Sequence, residues 1–176
     1  MIVNCTGLAA RKLQGVADKA MYPIRGQTVL VRNEPNQILT TCGCDEADDE
    51  TCYIMQRALG GGTVLGGCYQ VGSWNAEVDH DLAQRIMKRA VDACSALTTE
   101  KALPEGSELE PHMGVDSLSV MRHAVGLRPA REGGTRLESE KIGGTWVVHN
   151  YGHGGYGYQS SYGCSQEVLE LVKQIV

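Results

Sequence analysis

The segment His149–Gln159 (HNYGHGGYGYQ) constrains this chain more than any other feature. The β-branched and aromatic residues of Thr145–Asn150 predict a strand, and a glycine-rich loop is predicted over Tyr151–Tyr158. Glycine lets a ligand approach the backbone closely. The amphipathic pattern of Cys164–Val176 predicts a helix soon afterwards, and the free N–H groups at a helix start suit a phosphate or another anionic group. The alternative is a tight strand-to-helix turn that binds no ligand.

Two further places carry side chains suited to ligand binding. Arg128 lies in Val125–Arg131 (VGLRPAR), between a predicted strand and a proline. A guanidinium held there can bind a carboxylate through two parallel hydrogen bonds. Tyr53 and Tyr69 lie on a predicted hairpin, from which their hydroxyls can reach a polar ligand in an apolar pocket. On pattern alone, a surface arginine and two packed tyrosines with hydrated hydroxyls remain the alternatives.

The rest of the pattern predicts short strands and one clear amphipathic helix. Asp79 is a candidate N-cap, and the apolar residues after it, through Leu97, recur every three or four positions on one face. That arrangement leaves Arg85, Lys88 and Arg89 to face solvent. The acidic run Asp45–Glu50 predicts a solvated surface loop, and residues 103–114 a second loop. Strands are predicted at Ile2–Asn4, Gln27–Arg32, Gln37–Thr41, Thr51–Met55, Gly62–Tyr69, Val120–Leu127 and Thr135–Ser139, and a short helix at Leu8–Leu13.

Composition and motif content argue against several classes of function. The 176 residues carry a formal net charge of −5, which argues against nucleic acid or an anionic membrane as the partner. No apolar run is long enough for a membrane-spanning helix. The seven cysteines include no CxxC pair, so free thiols in a reducing compartment are expected and no metal site is predicted. No GxSxG elbow supports a serine hydrolase.

Six segments, in their order along the chain, resemble the C-terminal half of the D-amino-acid oxidases, a family of FAD-dependent enzymes. Each segment alone is a moderate match, but the ordered set is specific and spans nearly the whole chain. The form of the arginine segment, together with Tyr69, is most similar to the fungal members. The six are Val3–Gly7 (VNCTG), Arg25–Gln27 (RGQ), Tyr53–Ile54, Gly66–Trp74 (GGCYQVGSW), Val125–Arg131 and His149–Gly157 (HNYGHGGYG).

The resemblance implies a mixed α/β fold with a substrate-binding domain built on a largely antiparallel sheet. It adds the C-terminal pieces of a Rossmann-like FAD-binding domain. Residues 1–15 are expected to end the FAD-binding domain, and residues 16–140 to form the substrate-binding domain. Residues 141–176 are expected to contribute the C-terminal strand, glycine-rich loop and helix of the FAD-binding domain.

The resemblance also implies an activity. Members of the family oxidise D-amino acids to 2-oxo acids, ammonia and H2O2, by hydride transfer from Cα to the flavin and reoxidation by O2, and the same reaction on neutral D-amino acids is expected of this chain. Arg128 matches the arginine that binds the substrate carboxylate, and Tyr53 matches the tyrosine that hydrogen-bonds to it. Tyr69 matches the second active-site tyrosine of the fungal members, and the carbonyl of Gly155 is expected to accept from the substrate amine.

The FAD contacts that the resemblance implies cluster at two turns and at a helix start. The helix dipole would stabilise the anionic reduced ring. Small-molecule D-amino acid and O2 are the expected partners in D-amino acid catabolism, with no nucleic acid and no membrane, and with a homodimer as one option. The residues concerned are Thr6, Gly7, Arg128, Gly154, Gly155, Tyr156, Gly157, Tyr158 and Gln159.

Departures from the family pattern leave alternatives open. The glycine-rich ADP-binding segment of the family's N-terminus has no counterpart in this sequence, so an N-terminally truncated form is expected. D-aspartate oxidases tend to carry arginine where this chain has Tyr69, which favours neutral substrates. D-aspartate oxidase and a non-catalytic remnant unable to hold FAD remain the alternatives. A peroxisomal location follows from the family, although the chain does not end in Ser-Lys-Leu; a cytoplasmic location is the alternative.

Overall fold

The computed structural model describes residues 1–41, 49–102, 106 and 114–175. Cys42, Cys44 and most of the acidic run, Asp45–Asp48, lie outside the described residues, as does nearly all of the loop predicted over 103–114. The structure contains nine strands, two α-helices and several short 3-10 segments in its described part. The strands are β1 (Ile2–Asn4), β2 (Met21–Val31), β3 (Ile38–Thr41), β4 (Glu50–Gln56), β5 (Thr63–Cys68), β6 (Gln70–Val71), β7 (Val120–Arg131), β8 (Arg136–Ile142) and β9 (Thr145–Tyr151), and the helices are α1 (His80–Ala93) and α2 (Gly157–Ile175).

The chain divides into two compact units, and the division falls within β2, β6 and β7. The first unit contains residues 1–24, 71–74 and 127–176, and the second contains residues 25–70 and 75–126. The mixed α/β class with predominantly antiparallel sheets is confirmed. The predicted assignment of residues 1–15, 16–140 and 141–176 to domains of a flavoenzyme stays a prediction.

The second unit is built on the predicted hairpin. β4 and β5 pair antiparallel, β3 extends the sheet beyond β4, and β2 pairs with β5. Helix α1 covers this sheet, and the Asp79 carboxylate caps it by accepting from the Leu82 N–H at 2.9 Å. The apolar face predicted for this helix is buried, although the helix ends at Ala93 and Leu97 reaches the core from a following 3-10 segment.

The first unit holds a three-stranded sheet in the order β1-β9-β8. β8 and β9 form an antiparallel hairpin, whereas β1 pairs parallel to β9 although more than 140 residues separate Ile2 from its partner Val147. A small apolar cluster of Ala10, Met21 and Tyr151 lies beside this sheet. Helix α2 packs on β8 and β9, and none of its described residues is buried.

Three predicted boundaries and orientations are wrong. β7 continues through Arg131, so Arg128 lies inside a strand rather than after one, because the strand tolerates Pro129 without breaking. Helix α2 begins at Gly157, seven residues before the predicted start, and the predicted loop over Tyr151–Tyr158 shortens accordingly.

Glu50 is the third correction. It belongs to β4 rather than to a solvated loop, and its side chain is only 5% exposed. It accepts hydrogen bonds from Arg85 and Arg89 of α1, so these two arginines do not simply face solvent. Burial alone would raise the pKa of Glu50, but the hydrogen bonds from the two guanidinium groups outweigh it and hold that pKa below its usual value.

Two further predictions concern the cysteines and membrane-spanning helices. Among the described cysteines, Cys5, Cys94 and Cys164 are free thiols. Within the described ranges, neither helix combines the length and the apolar character that crossing a bilayer requires.

Candidate active site

Four of the predicted site residues meet in the first unit, around Pro129. The turn after β1 brings Gly7 to this proline, and a Cβ at Gly7 would lie 3.5 Å from the Pro129 Cβ. The loop after β9 lies on the same segment, because the Gly154 N–H donates to the Pro129 carbonyl at 2.9 Å. Gly155 lies beside Arg128: a Cβ at this glycine would lie 3.6 Å from Arg128 Cδ. The segment that carries Arg128 therefore contacts both glycine turns.

A buried ion pair holds the loop after β9 in place. A Cβ at Gly152 would lie 2.8 Å from the Arg131 Cβ, so a side chain there would collide with that arginine. Arg131 Nε in turn donates to Asp18 Oδ2 at 2.8 Å, and the Tyr151 hydroxyl donates to the same oxygen at 2.9 Å. Burial alone would raise the pKa of Asp18, but these two hydrogen bonds outweigh it and lower that pKa. The carboxylate stays ionised and fixes Arg131 beside the loop.

The start of α2 supplies backbone donors. The helix begins at Gly157, and the first N–H groups of any helix have no carbonyl to bond within it. Tyr156, Gly157, Tyr158 and Gln159 are all exposed, and the side chain of Tyr158 is 98% exposed. The helix start therefore presents N–H groups and the positive end of its dipole to any group bound there.

Tyr53 and Tyr69 belong to the second unit. Tyr53 is half-buried and lies opposite Gly66 in the β4–β5 register. Its ring covers the backbone of β5, because its hydroxyl oxygen would lie 2.9 Å from a Cβ at Gly67 and closer still to one at Gly66. The side chain of Tyr69 is 47% exposed, and its N–H donates to the Asp49 carbonyl at 2.6 Å.

A buried arginine that sequence reasoning did not single out holds the segment around Tyr69. Arg25 is 2% exposed, and all five of its N–H groups are hydrogen-bonded. Two of these bonds go to the neighbours of Tyr69, namely Cys68 Sγ at 3.8 Å and Gln70 Oε1 at 3.0 Å. The only sequence signal was its place in the Arg25–Gln27 segment, where Gln27 accepts from the same guanidinium at 2.7 Å. The remaining acceptors are the carbonyls of Asn75 and Glu77.

The family assignment follows from comparison with known proteins. Residues 1–171 match the family described as FAD dependent oxidoreductase, and this match covers nearly the whole chain. The chain belongs to this family. The resemblance inferred from the six segments is confirmed.

Curated relatives of this chain carry two activities in their names. A D-amino-acid oxidase from Fusarium vanettenii is 49% identical over 176 residues, which are 99% of this chain and 45% of the relative. A D-aspartate oxidase from Cryptococcus neoformans var. grubii is 34% identical, over 97% of this chain and 48% of the relative. The chain thus spans less than half the length of these relatives.

Among solved structures, a glycine oxidase from Bacillus cereus is similar to this chain. Its TM-score is 0.65 at 21% identity, and the match covers 98% of this chain and 42% of the other. At that identity, the likeness shows the fold alone.

Proposed function

We propose that this chain is the substrate-binding part of an FAD-dependent oxidase of neutral D-amino acids. The observation that carries the proposal is the convergence in the first unit of Gly7, Arg128, Gly154 and Gly155 around one proline. These four residues come from three of the segments that resemble the D-amino-acid oxidases, and these three segments are separated in the sequence. The 49% identity to a D-amino-acid oxidase supports the same activity.

The residues present fit the flavin ring of FAD. Glycines at 154 and 155 keep the backbone accessible to a flat group, and the start of α2 offers N–H donors to an oxygen or an anionic nitrogen. Thr6 and Gly7, the backbone from Gly154 to Gln159, and Arg128 would hold the cofactor. When bound, FAD would supply the oxidising power for hydride removal from the substrate Cα, with O2 as the final electron acceptor and H2O2 as its product.

The side chains of this oxidase bind and orient the substrate. Arg128 binds the substrate carboxylate through its planar guanidinium, and the carbonyl of Gly155 accepts from the substrate amine. The motif match, rather than a measured distance, assigns the hydroxyls of Tyr53 and Tyr69 to the same substrate. The product imine is released and hydrolyses in water to the 2-oxo acid and ammonia.

The first test is a visible spectrum of the purified chain with added FAD, before and after D-alanine is added without oxygen. A perturbed flavin band that bleaches with D-alanine is expected from a chain that suffices as an oxidase. An unperturbed spectrum would contradict this and favour a non-catalytic remnant. Faster bleaching by D-aspartate than by D-alanine would replace the neutral substrate with an acidic one. A peroxisomal location is proposed on family resemblance, and is tested by imaging the tagged protein.

The second test concerns Arg128. We expect Arg128→Ala to raise KM for D-alanine by at least about thirtyfold, since truncation of one partner of a buried charged pair costs about 2 kcal/mol or more. Arg57→Ala is the matched control, because Arg57 is exposed and the described hydrogen bond of its side chain goes to the Gly61 carbonyl. An unchanged KM in Arg128→Ala would refute the role given to this arginine. The same KM assay applies to a longer protein that contains this chain.

A further inference from the structure

The turn after β1 is held by a side chain that the proposed function does not use. Asn4 is 3% exposed, and its Oδ1 accepts both from the Thr6 N–H at 3.1 Å and from the Thr6 hydroxyl at 2.7 Å. These two bonds fix the backbone that leads into Gly7. A backbone N–H can only donate, so the atom that faces it must be the amide oxygen of Asn4. The amide nitrogen of Asn4 must then point the other way.

The amide nitrogen of Asn4 determines which ring nitrogen of the buried His149 carries a proton. Asn4 Nδ2 lies 3.1 Å from His149 Nδ1, and His149 is fully buried. Because the amide nitrogen has only hydrogens to offer, His149 Nδ1 must accept and cannot carry a proton. The ring proton therefore lies on Nε2, which is 2.8 Å from Glu140 Oε1. A protonated imidazolium would set an N–H of its own against the amide hydrogens of Asn4.

Further bonds keep the outer partner of the ring in place. Glu140 Oε1 also accepts from Arg136 Nη2 at 2.9 Å, so the carboxylate stays an acceptor toward His149. Arg136 Nη1 donates to the Tyr151 hydroxyl at 2.9 Å. That hydroxyl donates to Asp18, which also accepts from Arg131. The hydrogen bonds therefore run from Glu140 through Arg136 and Tyr151 to the ion pair of Asp18 and Arg131. Each hydrogen bond in the series from Thr6 to Asp18 then joins one donor to one acceptor.

We infer that His149, as its neutral Nε2–H tautomer, is a positioning residue that fixes the Asn4 amide and, through it, the Thr6–Gly7 turn. The inference rests on the proposed function, because that turn is the one assigned to FAD. Without the acceptor on His149, the Asn4 amide is free to rotate, and the two bonds to Thr6 lose their common acceptor. The histidine thus acts on the cofactor site without touching the cofactor.

Nitrogen NMR of the histidine rings tests the tautomer in the purified chain at pH 7, with no FAD present. The chain has five histidines, and the signals that disappear in His149→Gln identify His149. We expect an unprotonated Nδ1 and a protonated Nε2. In Asn4→Asp, a carboxylate oxygen faces Nδ1 while Thr6 keeps its acceptor, so both ring nitrogens are expected to be protonated. A proton on Nδ1 in the unaltered chain, or a still neutral ring in Asn4→Asp, would overturn the inference.

Hydrogen exchange at the Thr6 amide tests the positioning. His149→Phe removes the acceptor and is expected to speed exchange at Thr6 about tenfold, the effect of one lost buried hydrogen bond. His149→Gln offers an oxygen to Asn4 and a nitrogen to Glu140, so it is expected to restore exchange to within about twofold of the original rate. An equal loss of protection along β9 in His149→Phe would indicate opening of the sheet and would overturn the specific role, as would unchanged exchange at Thr6.

Titration with FAD alone separates this inference from the proposed function. His149→Phe is expected to weaken FAD binding about tenfold while His149→Gln does not, provided that the unaltered chain binds FAD. If the unaltered chain does not bind FAD, the proposed function of this chain fails, and the NMR and exchange results still decide the role of His149.

Discussion

At the scale of single residues, the glycines of β5 show how tightly the candidate site is fitted. The ring of Tyr53 occupies the space where a side chain at Gly66 would lie. We expect Gly66→Ala to force this ring out of place and to lower the free energy of unfolding by about 2 kcal/mol, the usual cost of overpacking. Urea unfolding followed by far-UV circular dichroism measures this loss. Gly126→Ala is the matched control, because nothing lies within 4 Å of a Cβ at Gly126; equal losses in the two variants would contradict the close fit of Tyr53.

At the scale of elements, helix α2 carries a glycine that its packing does not require. Gly163 lies in the middle of the helix, and nothing lies within 4 Å of a Cβ there. We expect Gly163→Ala to raise the free energy of unfolding by about 0.5–1 kcal/mol, since alanine loses less backbone entropy in a helix. Gly163→Pro is expected to lower it by about 3 kcal/mol, because proline removes a helical hydrogen bond. Thermal unfolding that ranks proline equal to alanine would place residue 163 outside a helix.

Local patterns predicted those elements whose residues all carry the same signal. The hairpin of β4 and β5, the capped start of α1 and strand β9 each follow from propensity and periodicity within a few residues. The start of α2 could not be predicted in this way, because the glycines and tyrosines after Gly157 favour a loop, and packing on β8 and β9 decides for a helix.

The residues of the candidate site also differ in how far local sequence patterns predict them. The motifs pointed to Arg128 and to the glycine turns, but Arg25, Glu50 and His149 also depend on distant partners, 50, 35 and up to 145 positions away. Such partners are set by the tertiary fold. The sequence alone contains no local signal that names them.

At the scale of the whole molecule, each unit contains a buried carboxylate whose pKa is lowered by arginine, Asp18 in the first and Glu50 in the second. Burial opposes this shift, and the hydrogen bonds from Arg131 and Tyr151, and from Arg85 and Arg89, outweigh it. A carboxyl group with a lowered pKa in the folded state binds protons more weakly there than in the unfolded chain. Its contribution is therefore complete above the unfolded-state pKa, near 4, and is lost as the pH falls through the folded-state value.

We therefore expect the free energy of unfolding to decrease from pH 5 downward, as measured by urea unfolding at a series of pH values. Glu50→Gln is expected to cost about 3 kcal/mol at pH 7, because it leaves the half-buried Arg89 without its carboxylate partner. The same variant should depend less on pH than the unaltered chain, since the titrating group is gone. Glu77→Gln, at an exposed position, is the control and should keep the original pH dependence. An identical acid dependence in Glu50→Gln and in the unaltered chain would mean that the Glu50 cluster does not link the fold to protons.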